Sequence, residues 1–76
     1  MIKIYGGVSC SYCESAKSLC KTRNLSFEYN DVGDVSPAEW LKKIGFVPRS
    51  IPQIFVDDEY IGGFSEFKTY LESATS

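Results

Sequence analysis

The chain has 76 residues, a net charge of −2 and 43% hydrophobic residues. This length predicts one domain over residues 1–76, and the acidic balance argues against sequence-independent binding of nucleic acid, which needs a basic face. No apolar run approaches the roughly 20 residues of a membrane span. The apolar stretch in the N-terminal segment "MIKIYGG" is too short for a signal peptide. We therefore expect a cytoplasmic protein that binds neither nucleic acid nor membranes.

The first half of the chain has the pattern of a strand, a helix and a second strand. The segment "MIKIY" alternates apolar and polar residues and ends at two glycines, which predicts a strand and a loop. From Ser11 to about Asn24 the apolar residues recur at helical spacing. The segment "LSFEYN" alternates again, with Leu25, Phe27 and Tyr29 on one face. This order favours a parallel β-α-β unit.

The segment "SPAEW" carries the signals of a helix start. Ser36 can cap the helix, Pro37 suits its first position, and Glu39 completes a capping box. The apolar residues that follow predict a buried stripe, and a glycine suits the end of the helix; they are Trp40, Leu41, Ile44 and Gly45.

The last third predicts a hairpin and a final helix. "QIFVDDEYIGG" holds two short apolar runs around Asp57, Asp58 and Glu59, typical of an antiparallel hairpin. Ser65 can cap a last helix whose inward residues are Phe67, Tyr70 and Leu71, and residues 72–76 are expected to fray. The order β-α-β-α-β-β-α predicts an α/β fold, a four-stranded mixed sheet with three helices on its faces.

Three cysteines and no histidine leave few kinds of cysteine site. A structural zinc site needs four ligands, which one chain cannot supply here. Cys13 and Cys20 lie seven residues apart on the predicted helix, roughly 10 Å, which is too far for a disulfide. Cys10 and Cys13 bracket the helix start and can pair. Two interpretations of Cys10 and Cys13 stay open: they form a redox pair, or they are two small buried hydrophobic residues. Cys20 is expected to be a buried, inert thiol.

The position of Cys10 favours redox chemistry. It lies just before a helix, where unpaired backbone N–H groups and the helix dipole stabilise an anion such as a thiolate. A disulfide between Cys10 and Cys13 closes a very short loop and removes little entropy from the unfolded chain, so it would stabilise the fold only slightly. Cys-x-x-Cys beside a β-α-β pattern is typical of a thioredoxin-like redox motif.

With these residues in view, the whole chain resembles a short dithiol glutaredoxin of bacterial or phage type. "CSYC" is similar to the Cys-Pro-Tyr-Cys of that family, and "SIPQIFVDDEYIGGF" resembles its Thr-Val-Pro-Gln-Ile-Phe block with the downstream Gly-Gly. The resemblance implies a thioredoxin-like fold and a monomer. It also implies a glutathione-dependent thiol–disulfide oxidoreductase that acts on glutathionylated proteins or on proteins such as ribonucleotide reductase. The Gly-Gly block and the absence of Trp before Cys10 disfavour a thioredoxin served by a reductase.

The resemblance also implies roles for individual residues. Cys10 is expected to be the nucleophile and Cys13 the resolving thiol. Pro52 is expected to follow a cis peptide bond, with the backbone of Ile51 bound to the cysteinyl part of glutathione. The remaining glutathione-binding residues implied by the family are Tyr12 beside the thiols and, where the last helix receives the γ-glutamyl carboxylate, Gly63, Phe64 and Ser65.

Two positions depart from the family pattern. Gly7 stands where relatives usually have a basic residue, so Arg49 or Lys17 would have to supply that charge. Ser11 replaces the usual proline, and some relatives with serine there bind a [2Fe–2S] cluster between two chains through the first cysteine and glutathione. The alternative function is therefore a dimeric cluster carrier with Cys10 as ligand.

Overall fold

A four-stranded mixed sheet forms the centre of the molecule. The computed structural model describes the backbone of residues 1–75 and the side chains of residues 1–73. The strands are β1 (Ile2–Gly6), β2 (Phe27–Asp31), β3 (Gln53–Val56) and β4 (Glu59–Gly62), in the spatial order β2-β1-β3-β4. β1 pairs parallel with β2 and antiparallel with β3, which pairs antiparallel with β4. The predicted mixed sheet and element order are confirmed.

Three helices complete the fold: α1 (Ser11–Thr22), α2 (Pro37–Ile44) and α3 (Phe64–Thr75). α1 ends two residues earlier than expected, because Asn24 adopts a left-handed backbone conformation (φ 57°) that turns the chain. β2 accordingly begins at Phe27 rather than Leu25. Within residues 1–75, none of the helices combines the length and the apolar character that crossing a membrane requires.

The predicted start and end of α2 and the predicted hairpin are confirmed, but Glu59, expected between the two strands, is the first residue of β4. The Glu39 N–H donates to Ser36 Oγ at 3.2 Å, which caps α2, and Gly45 ends the helix with φ 84°. Between β3 and β4, Asp57 and Asp58 form a two-residue turn with φ values of 50° and 69°. Such a turn needs positive φ at both central residues, which short polar side chains tolerate.

The alternation along the strands divides the interior between the two faces of the sheet. Ile4 and Ile54 point toward α1 and α3, while Tyr5 and Phe55 point toward α2. The first face is covered by aliphatic and aromatic side chains; its buried members are Ile2, Ile4, Ala16, Cys20, Ile54, Phe67 and Leu71. The second face is aromatic, with Trp40 packed against Tyr5 at a ring distance of 5.3 Å.

Three expectations are wrong or fall partly outside the described residues. Leu41 is 54% exposed, because Trp40 and Ile44 share the inward face of the eight-residue α2 and Leu41 lies to one side. Ser65 does not cap α3, which already begins at Phe64. Of residues 72–76, which are expected to fray, the backbone up to Thr75 belongs to α3, and Ser76 lies outside the described residues.

Replacing Ser36 with alanine should destabilise the protein through loss of the α2 cap. We expect the free energy of unfolding in a urea titration to fall by about 0.5–2 kcal/mol. The matched control is Ser18→Ala on the exposed side of α1, where alanine is a good helix former and stability should hold or rise slightly. Equal losses from the two substitutions would contradict a capping role for Ser36.

Candidate active site

Cys10 lies at the N-cap of α1. Its backbone is extended (φ −113°, ψ 110°), its carbonyl accepts the first helical bond from Glu14 N at 3.1 Å, and its Sγ accepts from Cys13 N at 3.2 Å. The Cys10 and Cys13 sulfurs are bonded to each other, with the Cα atoms 5.2 Å apart. The sulfur of Cys10 thus lies where an N-cap side chain normally accepts a helix N–H, a position that also stabilises a thiolate.

The two bonded cysteines differ in their access to solvent. Cys10 is partly exposed, whereas Cys13 is fully buried. Gly6 at the end of β1 makes room for the Cys13 sulfur, because a Cβ at this position would lie only 2.7 Å from Cys13 Sγ and 2.5 Å from the Tyr29 hydroxyl. A molecule arriving from outside can therefore reach Cys10 but not Cys13.

The residues expected to bind glutathione, from the cysteine motif and from the later block, meet at one cavity. The peptide bond between Ile51 and Pro52 is cis, as the resemblance implied. A cavity of about 120 Å³ is lined by all six residues expected to bind glutathione, together with Ser50 and Glu66; the six are Tyr12, Ile51, Pro52, Gly63, Phe64 and Ser65. The Tyr12 ring is 64% exposed, and its centroid lies 6.0 Å from that of Phe64. Segments that are far apart in the sequence thus form one surface.

The pairing of β1 with β3 explains this meeting. The two strands are antiparallel, and Tyr5 pairs with Gln53, so the residues after β1 and those before β3 lie at the same end of the sheet. They are close enough that a Cβ on Gly7 would lie 3.1 Å from Ile51 Cδ1. The cysteine loop and the loop before Pro52 are consequently neighbours.

The start of α3 is capped by a residue that sequence reasoning missed. Gly63 is the N-cap, and its N–H donates to Glu66 Oε1 at 2.8 Å. This is the backward half of a capping box, with Glu at the third helical position, and the spacing Gly63-x-x-Glu66 was the signal for it. The N–H groups of Phe64 and Ser65 fall in the first turn, where a helix supplies no acceptor of its own.

A second contact that the sequence did not predict fixes the backbone that leads into the cysteine loop. The Tyr29 hydroxyl donates to the Gly7 carbonyl at 2.8 Å. The two residues are 22 positions apart, and no local sequence pattern indicates their contact. Because Gly7 directly follows β1, this hydrogen bond fixes the backbone that leads to Cys10.

The two cations proposed to replace a basic residue at Gly7 differ in their surroundings. Lys17 Nζ pairs with Glu14 at 2.6 Å and lies 4.3 Å from the centre of the Tyr29 ring. The hydrogen bond to Glu14 raises the pKa of Lys17. Arg49 is exposed, and no carboxylate among residues 1–73 lies within ion-pair distance of it. Arg49 is therefore the cation that is free to meet an anionic ligand.

Cys20 has the opposite character to Cys10. It is fully buried on the inner face of α1, and burial raises the pKa of its thiol. A raised pKa keeps the thiol neutral to higher pH, and the neutral form is a poor nucleophile. The predicted burial of the Cys20 thiol is confirmed.

In the reduced native protein, iodoacetamide should label Cys10 and leave Cys20 unmodified from pH 6 to 9. Cys20 should react once the protein is unfolded in guanidinium chloride, which serves as the control for reagent and detection. Peptide mass mapping assigns the labelled residue. Labelling of Cys20 at the same rate as Cys10 in the native protein would contradict its burial.

Comparison with known proteins agrees with this geometry. The chain is 32% identical over 76 residues to a glutaredoxin of Vibrio cholerae, covering 91% of this chain and 87% of the relative. The solution structure of reduced Escherichia coli glutaredoxin matches with a TM-score of 0.81 and 27% identity, covering 97% of this chain and 95% of the other. A buckwheat glutaredoxin–glutathione complex shares the fold, with a TM-score of 0.77 and 19% identity over 96% of this chain and 69% of the other.

The profile of one family matches most of the chain. Residues 2–61 match the glutaredoxin profile, from β1 through the cysteine pair and the Pro52 loop into β4. The solved relatives also bear out the predicted thioredoxin-like fold. With its Cys10–Cys13 pair, the chain belongs to the glutaredoxin family of thiol–disulfide oxidoreductases.

Proposed function

We propose that the protein uses glutathione to reduce glutathione mixed disulfides and protein disulfides. The observation that carries this proposal is the asymmetry of the cysteine pair. Cys10 is partly exposed and lies at a helix start, with Cys13 N donating to its sulfur, while Cys13 is buried behind it. In such a pair, the exposed sulfur can attack a disulfide of the substrate, and the buried sulfur can then attack the mixed disulfide that forms.

The chemistry follows from this arrangement. The Cys10 thiolate attacks one sulfur of a protein disulfide, forms a mixed disulfide with the protein and releases the other sulfur as a thiolate. Cys13 then loses its proton and attacks Cys10 Sγ, which releases the reduced protein and leaves the Cys10–Cys13 disulfide. Two glutathione molecules reduce this bond in two further exchanges and leave as glutathione disulfide. With a glutathione mixed disulfide as substrate, Cys10 takes the glutathionyl group and a second glutathione removes it.

The cavity beside Cys10 supports glutathione as the reductant. In this proposal the Ile51 backbone binds the cysteinyl part of the tripeptide, and the Phe64 and Ser65 N–H groups receive the γ-glutamyl carboxylate. A carboxylate at a helix N-terminus is stabilised by the free N–H groups and the dipole. The buckwheat structure of the same fold is a complex with glutathione, which supports this assignment.

Arg49 is proposed to serve the glycyl carboxylate in place of a basic side chain at Gly7. It lies two residues before Ile51 in the same loop, exposed and without an ion pair to any of residues 1–73. Lys17 is already engaged with Glu14 and Tyr29. These surroundings favour Arg49 over Lys17 for this role.

Exposed apolar side chains support a protein substrate. Six large hydrophobic residues among those described are exposed; Val8 and Tyr12 flank the cysteines, and three others, Leu41, Phe46 and Val47, line one hollow with Gly45 and Arg49. A contiguous exposed apolar patch such as this hollow is typical of an interaction site. The resemblance suggests ribonucleotide reductase or glutathionylated proteins as partners; these partners, the monomeric state and the cytoplasmic location stay predictions.

Replacing each cysteine with serine should separate the roles of the three thiols. Cys10→Ser should abolish thiol transfer in a glutathione-coupled assay, because no other exposed thiolate exists among residues 1–73. Cys13→Ser should keep activity on glutathione mixed disulfides and lose most activity on protein disulfides. Cys20→Ser is the matched control and should change either activity by less than about twofold. An inactive Cys13→Ser variant beside an active Cys10→Ser variant would reverse the assignment.

Removing the charge of Arg49 should weaken glutathione binding. In Arg49→Gln we expect the Michaelis constant for a glutathionylated peptide to rise about twofold to fivefold, which is the range of one exposed ion pair. Lys17→Gln is the control, with a change of less than about twofold, since Lys17 is held by Glu14. The effect of Arg49→Gln should shrink in high salt. A larger effect from Lys17→Gln would assign the role to Lys17.

The [2Fe–2S] carrier remains a second candidate because Ser11 stands where most dithiol relatives have proline. Among the described residues, no group of three or more His, Cys, Asp or Glu side chains could hold a metal ion. Cluster binding would therefore need Cys10 from two chains together with glutathione, in a dimer. Anaerobic reconstitution with iron, sulfide and glutathione, followed by visible absorption and gel filtration, tests this function; a colourless monomer would rule it out.

A further inference from the structure

A buried amide lies directly behind the loop that precedes Pro52. Gln53 is only 4% exposed, yet both ends of its side chain are paired. Its Nε2 donates to the Ser50 carbonyl at 2.8 Å and contacts Ser50 Oγ at 3.4 Å, and its Oε1 accepts from the Tyr60 hydroxyl at 2.6 Å. A chain of hydrogen bonds thus runs from β4 through β3 to the loop.

Tyr60 is itself fixed in place. Its ring centroid lies 5.3 Å from that of Phe55 and 6.1 Å from that of Phe46. Burial, with a smaller contribution from the negative charge of Glu66, raises the pKa of its hydroxyl. The hydroxyl therefore stays protonated and able to donate at neutral pH. Because Tyr60 donates to Gln53 Oε1, the amide of Gln53 is oriented with its NH₂ group toward Ser50.

We infer that Gln53 and Tyr60 are positioning residues that set the direction of the Ile51 N–H. The Ser50 carbonyl and the Ile51 N–H belong to one planar peptide unit, and in a trans unit the two groups point in opposite directions. Gln53 holds the carbonyl toward the interior, so the N–H is turned away from Gln53, and both Ser50 and Ile51 line the cavity. We call this pair the Tyr60–Gln53 brace. The inference rests on the proposed function, in which the Ile51 backbone binds glutathione.

The brace differs from ordinary core packing. A buried amide is costly unless both of its ends are hydrogen-bonded, and an apolar side chain of similar volume would fill the same space without that cost. The two hydrogen bonds of Gln53 specify the orientation of one peptide plane, which apolar packing cannot do. Loss of either bond should therefore affect binding at the cavity more than it affects Cys10, whose helix start is a separate element.

The test compares three variants with the wild-type protein. Tyr60→Phe removes only the hydroxyl, Gln53→Met removes both hydrogen bonds at similar volume, and the double variant joins them. Tyr70→Phe is the matched control, since Tyr70 on α3 is also half-buried but packs on the other core cluster, which contains Ile4 and Ile54. The measurements are kcat and KM on a glutathionylated peptide, the pH dependence of Cys10 alkylation, the melting temperature, and the N–H residual dipolar coupling of Ile51 by NMR, which reports the direction of that bond.

We expect KM to rise about threefold to tenfold in Tyr60→Phe and in Gln53→Met, the range for loss of an ordinary hydrogen bond. The double variant should match Gln53→Met, because the two residues act in series. The value of kcat and the alkylation profile should stay within about twofold of wild type, and the N–H coupling of Ile51 should change. Tyr70→Phe should leave KM and the N–H coupling of Ile51 unchanged.

Two outcomes would overturn the brace. The first is a lower melting temperature with unchanged KM and an unchanged N–H coupling at Ile51, which would make Gln53 and Tyr60 purely structural. The second is an equal loss in KM and in Cys10 reactivity, which would indicate general damage to the site. If the wild-type protein shows no glutathione-dependent activity, the proposed function fails, and the N–H coupling of Ile51 still decides whether the brace orients this peptide unit.

Discussion

The hydrogen bond from Cys13 N to Cys10 Sγ, 3.2 Å long, is the contact on which the rest of the site depends. It places a sulfur at the N-cap position, where the side-chain oxygen of Ser, Asp or Asn usually accepts a hydrogen bond. The N–H groups at the start of α1 therefore lie near an atom that can become an anion. The same geometry sets the order of the two cysteines. Cys10 at the N-cap is partly outside, and Cys13 in the first turn points into the protein. The division of labour between attack and resolution follows from these two positions.

The rest of the fold brings a binding surface to this sulfur. Antiparallel pairing of β1 with β3 puts the loop before Pro52 beside the cysteine loop, and the β3–β4 hairpin delivers Gly63 and the start of α3 to the same place. Residues from three segments then line one cavity: Tyr12 in the first turn of α1, the loop before Pro52, and the start of α3 at Phe64. The first turn of α3 has backbone N–H groups without a helical acceptor, which suits a ligand that carries a carboxylate.

Local patterns predicted those parts of the structure that local chemistry determines. The cap at Ser36, the end at Gly45 and the hairpin turn at Asp57 each depend on residues within four positions of one another, and all three are present. The cysteine pair was predictable for the same reason. The expected cavity residues came from resemblance to glutaredoxins, since neither composition nor periodicity shows that Tyr12, Ile51 and Phe64 meet.

Features set by tertiary contacts could not be read from the sequence. Leu41 has the spacing of an inward residue, but the packing of Trp40 against Tyr5 fixes the rotation of α2 and leaves Leu41 outside. The contacts of Tyr29 with Gly7 and of Tyr60 with Gln53 depend on strand pairing, including the irregular register between Ile54 and Phe55. At Gly63, the cap depends on Glu66 three residues away, whereas the sequence pattern favoured Ser65 as the capping residue.

The most direct measurement is the site of glutathione attachment. The Cys13→Ser variant, reduced and then mixed with glutathione disulfide, should form one mixed disulfide, because its resolving thiol is absent. Acid quenching and peptide mass mapping identify the modified residue. The account predicts glutathione on Cys10 alone, released on adding excess reduced glutathione. Attachment to Cys20, or no attachment while Cys10 still reacts with iodoacetamide, would contradict glutathione-dependent exchange at this site.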